Sequence, residues 1–408
     1  MSDLFWPGDE RAGDLVTAAA WLAAMVRVEQ AWLDALARAG IAPATAALDG
    51  LAGPGDVESL ARAAEAAGTP VPALVALLRE RASGPGADWV HRGLTSQDVI
   101  DTGLVLCLRD VVDRLRAELR DQVGSLAALV RAHRDSVMAG RTLTQHAVPT
   151  TFGVKAAGWL GGVLDAADVL GRVRLPVQLG GAAGTLSAAV ELARLRGVPD
   201  PVRAVRAVVA DAAAALGLDA AAPWHTTRAP VVAAGVALAG CTGAWGRIAT
   251  DVATLSRPEI GELAEPAGPG RGGSSTMPQK RNPVLSVLIR RAALAAPGLL
   301  STLHLAAALA GDERPDGAWH AEWTTLRDLA RHTVVAAGQT GELLAGLHVD
   351  AERMRATADA AWDDLTAERR AVAAVAGGEP GGDHYLGVAG PIVEDVLARA
   401  AAYREASA

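Results

Sequence analysis

Asp14–Arg38 reads DLVTAAAWLAAMVRVEQAWLDALAR. Leu15, Ala18, Leu22, Met25, Val26, Leu33 and Leu36 recur at i, i+3/i+4 and i+7, the spacing of one helical face. Glu29 is the one polar interruption of that stripe. The same period returns over 101–132, 154–172, 228–256, 284–311 and 320–347, and several of these run past the usual ~8–20 residues. Strand patterning is confined to short runs such as Leu175–Leu179. Ala-rich, Gly-tolerant helices of this length pack closely, so the expected class is all-α, a long helical bundle. Breaks rich in Pro and Gly divide it into an N-terminal helical domain (1–94), a central bundle (95–346) and a shortened C-terminal helical region (347–408).

Composition narrows the function. Half of the 408 residues are apolar, yet only 14 are aromatic, so Ala, Val and Leu must build the core. A net charge of −8 argues against nucleic acid, whose phosphates need clustered positive charge. Two cysteines, Cys107 and Cys241, cannot make a disulfide framework, and their apolar helical settings predict inert buried thiols in a reducing cytoplasm. The segment MSDLFWPGDERAGD has no apolar run, so no signal peptide is expected. Ala292–Gly311 is 20 residues without a formal charge, the length of a membrane span. Pro297, Ser301, Thr302 and His304 interrupt it, and charges flank it, so a buried central bundle helix is the expectation rather than a membrane segment.

Lysine occurs at two places, Lys155 and Lys280, against 36 arginines. Lys155 sits just inside a helix and predicts a structural ion pair. Lys280 falls in Gly272-Gly-Ser274-Ser275-Thr-Met277-Pro-Gln-Lys280-Arg-Asn282-Pro283, after the glycine-rich Glu265–Arg271. Such a loop can open and close over a ligand. Lys280 and Asn282 suit a carboxylate whose charge grows as a neighbouring C–H breaks. Ser274 becomes a base only where the closed loop favours its alkoxide. Gly268 and Gly273 have Walker A spacing, but Ser274 stands where that motif needs lysine. Gly180–Gly184 lacks dinucleotide-binding spacing, and no set of metal ligands appears, so no cofactor and no metal are expected.

GSSTMPQKRNP resembles the signature of the aspartase/fumarase superfamily. His91-Arg-Gly-Leu-Thr95-Ser96-Gln-Asp-Val-Ile-Asp-Thr102 resembles its first signature region, and Gly140–Lys155, with Gln145 and His146, its second. The phrasing of these stretches, with 175–186 and 223–231, is similar to that of 3-carboxy-cis,cis-muconate cycloisomerases. The resemblance implies Ser274 as acid/base, and Lys280 and Asn282 as holders of the substrate carboxylate and its aci-carboxylate intermediate. It implies Thr95 and Ser96 as a second carboxylate-binding pair. Gln145, His146, His91, Ser275, Met277 and Arg228 are implied substrate-site residues, His146 among the catalytic ones. It further implies a cofactor-free reaction on a small polycarboxylate, and a homotetramer whose sites are each assembled from three subunits.

Two features depart from fumarase-like members. Where these carry a histidine after GRT and a glutamate after the signature NP, this chain has Leu143 and Val287. Joint loss avoids an unpaired buried charge. The cycloisomerases share this apolar pairing, so closure of 3-carboxy-cis,cis-muconate to 4-carboxymuconolactone is the leading expectation. Elimination of nitrite, ammonia or another group from a substituted succinate, as by a nitrosuccinate lyase, stays open. So does a catalytically silent structural homologue, because the C-terminal region is short.

Overall fold

The computed structural model describes residues 3–268, 270–274, 276–381 and 385–406. It is helical apart from two small antiparallel strand pairs. In chain order the elements are α1 (Ala18–Arg38), α2 (Val57–Ala67), α3 (Val71–Arg81), α4 (Ser96–Ala132), β1 (Val137–Thr142), β2 (Gln145–Thr151), α5 (Phe152–Gly171), α6 (Ser187–Leu195), α7 (Pro201–Leu216) and α8 (Ala229–Leu255). They continue with β3 (Leu263–Ala264), α9 (Val284–Ala308), α10 (Gly317–Ala345), β4 (His348–Val349), α11 (Ala351–Ala360), α12 (Trp362–Leu365), α13 (Ala367–Ala376) and α14 (Ala389–Ala406). Contacts group the chain into two compact units, each drawn from three stretches. The first is Met1–Arg114, Arg172–Leu238 and Pro297–His332; the second is Leu115–Gly171, Ala239–Ala296 and Thr333–Ala408.

In the first unit α1 lies against α7, and α7 against α6. The α1 stripe explains this: Leu22, Met25, Val26, Leu33 and Leu36 are buried. The Thr17 hydroxyl accepts Ala20 N at 3.2 Å and caps the helix. Helix α7 starts at Pro201, with Asp200 accepting Arg203 N, and stops at left-handed Gly217. Glu29 is buried with its apolar neighbours.

In the second unit α8 and α9 approach at Gly246, where a Cβ would overlap that of Ala293. Trp245 donates to Gln122 at 2.7 Å, and Gln122 donates to Ala337 O at 2.9 Å. Lys155 meets Asp251 at 3.8 Å, beside the indole of Trp159, which donates to Asp251 at 2.8 Å. The strands β1 and β2 pair antiparallel and rest on α11 and α12. Val137 and Ala139 form a buried cluster with Ala358 and Leu365. The short C-terminal region therefore floors the hairpin that carries Gln145 and His146. Helix α14 packs on α5, where Arg399 bridges Asp165 and Asp168, each at 2.7 Å.

Two expectations need correction. Leu175–Leu179 forms no strand, only the isolated bridge Pro176↔Asp219. The hairpin arises instead in Val137–Thr151, where buried Val137, Met138 and Ala139 and the β-branched Val148, Thr150 and Thr151 suit a half-buried pleated pair. The apolar α9 run is also not buried within one chain. Helices α8 and α9 are both long and apolar enough to cross a membrane, yet 28% of the most apolar α9 window is buried. Val287, Leu294 and Leu305 of α9 stand exposed. Cys107 and Cys241 are buried, and desolvation pushes both thiols up to about 12, which leaves them inert.

Candidate active site

The first motif forms the entry to α4, in the first unit. Thr95 precedes the helix and Ser96 is its first residue, so both stand at the helix N-terminus. Asp98, fully buried one turn in, accepts Thr95 N at 3.0 Å and both Gly180 N and Gly181 N at 2.9 Å. Gln178 Nε2 and His225 Nε2 approach it at 3.2 Å. These partners offset the cost of desolvating the carboxylate and pin the glycine loop to the motif. The guanidinium of Arg314 contacts the Thr95 hydroxyl. His91 holds a left-handed φ of 65°, and its Nδ1 lies 2.6 Å from Glu29 Oε1.

Arg228, implied as a substrate-site residue, is turned inward within this chain. It is 2% exposed, and protein acceptors engage every N–H of its guanidinium. Nη1 and Nη2 reach Asp101 at 2.7 and 3.1 Å. Nε and Nη2 reach Glu322 at 3.1 and 2.5 Å, and Nη1 also reaches His225 O at 3.3 Å. Trp319 Nε1 adds 2.9 Å to Asp101 Oδ1. Burial alone would depress the guanidinium, but the Asp101 charge and the bonds to Glu322 and Asp101 push it up. Burial pushes Glu322 up, against the pull of Arg228. Arg228 thus ties α4, the loop before α8, and α10 together beneath the first motif.

The second motif folds as the β1–β2 hairpin of the second unit, with Thr142 opposite Gln145 and Arg141 opposite His146. Gln145 and His146 are exposed at the start of β2. The two-residue turn is Leu143–Thr144, at φ 48° and 71°. Both residues carry a Cβ, and Thr144 is β-branched, so the tip stores strain that asparagine–glycine turns avoid. Buried Glu262 holds the neighbouring Arg141 through 2.6 and 3.0 Å bonds. Leu143 is 96% and Val287 55% exposed.

The signature loop is tied at its base and open at its tip. Glu265 accepts Leu285 N at 2.9 Å, and both Ser286 N and Ser286 Oγ at 2.6 Å, so it caps α9. Arg271 pairs with Glu342. Asn282 N and Nδ2 donate to Gly272 O at 2.8 and 3.1 Å. Beyond these ties, Ser274 is partly exposed and Lys280 exposed. Ser274 Oγ accepts Met277 N at 3.1 Å and Thr276 N at 3.3 Å. Two backbone amides aimed at one oxygen stabilise it as an alkoxide. Lys280 has no carboxylate partner among the described residues, so its charge is available to an anion. Met277 is 42% exposed; Ser275 lies outside the described residues. A cleft of about 270 Å³ opens below the loop, lined by Ser256, Glu265, Arg271 and Asn282 among others.

Gly272 is at φ 68°, and a Cβ there would sit 2.6 Å from Asn282 O. We expect Gly272→Ala to open the loop base, at ~1–2 kcal/mol for the left-handed backbone alone. Trypsin should then cut faster at Arg271, Lys280 and Arg281 while the helical circular dichroism stays unchanged. Cleavage at the wild-type rate would show the base to be intact.

Ser274, Lys280, Asn282, Gln145 and His146 thus belong to the second unit, and His91, Thr95, Ser96 and Arg228 to the first. Sequence reasoning overlooked Asp98 although it lies inside the first motif, because a carboxylate at a helix start reads as a cap. Glu265, Glu262 and Arg314 carried no local signal.

Residues 15–298 match a protein family described as Lyase. The chain is 47% identical over 378 residues to nitrosuccinate lyase of Streptomyces davaonensis, covering 90% of this chain and 78% of that protein. It is 43% identical over 345 residues to 3-carboxy-cis,cis-muconate cycloisomerase of Pseudomonas aeruginosa, covering 82% of this chain and 72% of the relative. The crystal structure of 3-carboxy-cis,cis-muconate lactonizing enzyme from Pseudomonas putida superposes with a TM-score of 0.77 at 33% identity, covering 96% of this chain and 97% of that one.

Proposed function

Because the chain belongs to the aspartase/fumarase superfamily of lyases, we propose that it is a cofactor-free enzyme that exchanges a proton at a carbon beside a carboxylate of a small polycarboxylate. The observation that carries this reading is the Ser274 oxygen, which accepts from two backbone amides on a loop whose Lys280 has no carboxylate partner among the described residues. Ser274 moves the proton. Lys280 and Asn282 take the charge that builds on the aci-carboxylate.

The leading reaction is closure of 3-carboxy-cis,cis-muconate. A carboxylate oxygen of the substrate bonds to one alkene carbon, and the adjacent carbon takes the proton from Ser274. In reverse, Ser274 removes that proton and the carboxylate leaves with the electron pair. Leu143 and Val287 fit this chemistry. A carboxylate, with an ordinary pKa near ~4, departs as a stable anion and needs no acid. Hydroxide or an amine would need one. Nitrite is also a weak base, so the similarity to nitrosuccinate lyase favours a second reading. There, nitrosuccinate loses a proton to Ser274, its C–N bond breaks, and nitrite leaves fumarate behind.

The uncovered apolar face of α9 supports assembly with other copies of this chain, and we take the homotetramer as the working state. Two buried free thiols support a reducing, cytoplasmic setting.

The test is an ultraviolet assay of purified protein on both substrates. Loss of the conjugated diene with a lactone product supports the cycloisomerase. Fumarate formed from nitrosuccinate supports the lyase. Turnover of neither, in a folded oligomeric sample, would overturn both and favour a silent homologue.

A further inference from the structure

The single polar break in the α1 stripe faces a strained turn. Glu29 is fully buried, and its Oε2 has no hydrogen-bond partner. Its Oε1 lies 2.6 Å from Nδ1 of His91, 62 residues away in sequence. The turn is held from three sides. Arg79 of α3 donates to Val90 O at 2.7 Å, Trp32 of α1 donates to Arg92 O at 2.8 Å, and Glu29 holds the ring between them. A left-handed φ at a residue with a Cβ persists only where its surroundings over-determine it, and such strain gathers at ligand sites. The ring keeps 19% of its side-chain surface open. Its Nε2 makes no hydrogen bond among the described residues.

We propose that Glu29 is a positioning residue of the substrate site: it accepts the Nδ1–H of His91 and leaves Nε2 as the nitrogen presented to a substrate carboxylate beside Thr95. The proposal rests on reading this site as one for polycarboxylates. With Glu29 on Nδ1 and a ligand carboxylate on Nε2, the doubly protonated ring is the favoured form, and binding takes its proton from solvent. A charge-assisted bond of this kind anchors an anion more tightly than a neutral donor does. Other charges face the turn: Arg79 from α3, Asp88 and Arg92 from the turn itself, Arg314 at Thr95, and Asp98 on α4. None bonds to the imidazole, so Glu29 alone selects its tautomer.

The test compares wild type with Glu29→Gln by calorimetric titration of tricarballylate at pH 8, in buffers of different ionisation enthalpy. Glutamine keeps the size and an acceptor but removes the charge. Wild type should bind with net proton uptake. The variant should bind at least about tenfold more weakly, with the uptake lost. Equal affinity and equal uptake in a folded Glu29→Gln protein would overturn the proposal. Should that variant fail to fold, His91→Asn replaces it: loss of uptake supports the proposal, and unchanged binding overturns it. If wild type binds no tricarballylate, the proposal falls together with the polycarboxylate class. If binding and uptake behave as expected but neither 3-carboxymuconate nor nitrosuccinate turns over, the assigned reaction falls and the role of Glu29 stands.

Discussion

Ser274→Ala is expected to lower kcat by about 10²–10⁴-fold, the range that a positioned acid/base supplies. The fold should not notice. Ser274 is partly exposed, and among the described residues its hydroxyl bonds only the Met277 and Thr276 amides of its own loop. Surface changes of this kind stay within about 0.5 kcal/mol of stability. The base of the loop is held elsewhere, by Glu265, Arg271 and Asn282. Thermal melting and oligomeric state should therefore match wild type while turnover collapses. Because the loss belongs to proton transfer, kcat should fall more than KM rises. A variant with wild-type kcat would remove Ser274 from the mechanism, and the neighbouring amides would then be an ordinary turn.

Arg228→Met is the opposite case, with its largest effect on folding. It removes a buried cation and leaves Asp101 and Glu322 facing each other without it. Breaking such a cluster by one partner costs about 3–5 kcal/mol. The loss should depend on pH with a definite sign. Burial already raises Glu322 above its ordinary 4.5, so its ionisation opposes folding. A carboxyl raised in the folded state contributes stability below its unfolded value and loses it as pH rises through the folded one. Without Arg228 the Glu322 carboxyl shifts further up, because burial and the nearby Asp101 charge act unopposed. The gap between variant and wild type should then be widest near pH 8 and narrow toward pH 4.5. Urea midpoints at the two pH values measure it. A pH-independent gap would mean that the lost packing of the long side chain, not the uncompensated charge, sets the cost.

These two arginine and serine sites were not equally legible. Ser274, Lys280 and Asn282 lie in one continuous signature, so their grouping needs no fold to reveal it. Arg228 also sits in a recognisable stretch, but its orientation is set by Asp101 and Glu322, 127 and 94 residues away. A resemblance aligned the residue without saying which way it turns. The hairpin was missed for a related reason: the period-two signal in Val137–Thr151 is short, and Pro149 interrupts it.

By itself the sequence determined the helices, through apolar periodicity, and the signature loop, through residues adjacent along the chain. Both are local properties, readable without knowing what packs on what. Only the tertiary structure decided that Asp98 pins the Gly180 loop, that Arg228 is spent on two carboxylates, that Glu265 closes the loop base, and that the odd glutamate of α1 faces His91. Each of these is a buried polar group seeking a partner. Desolvation demands that a partner exist, but where it lies along the chain is fixed by packing alone.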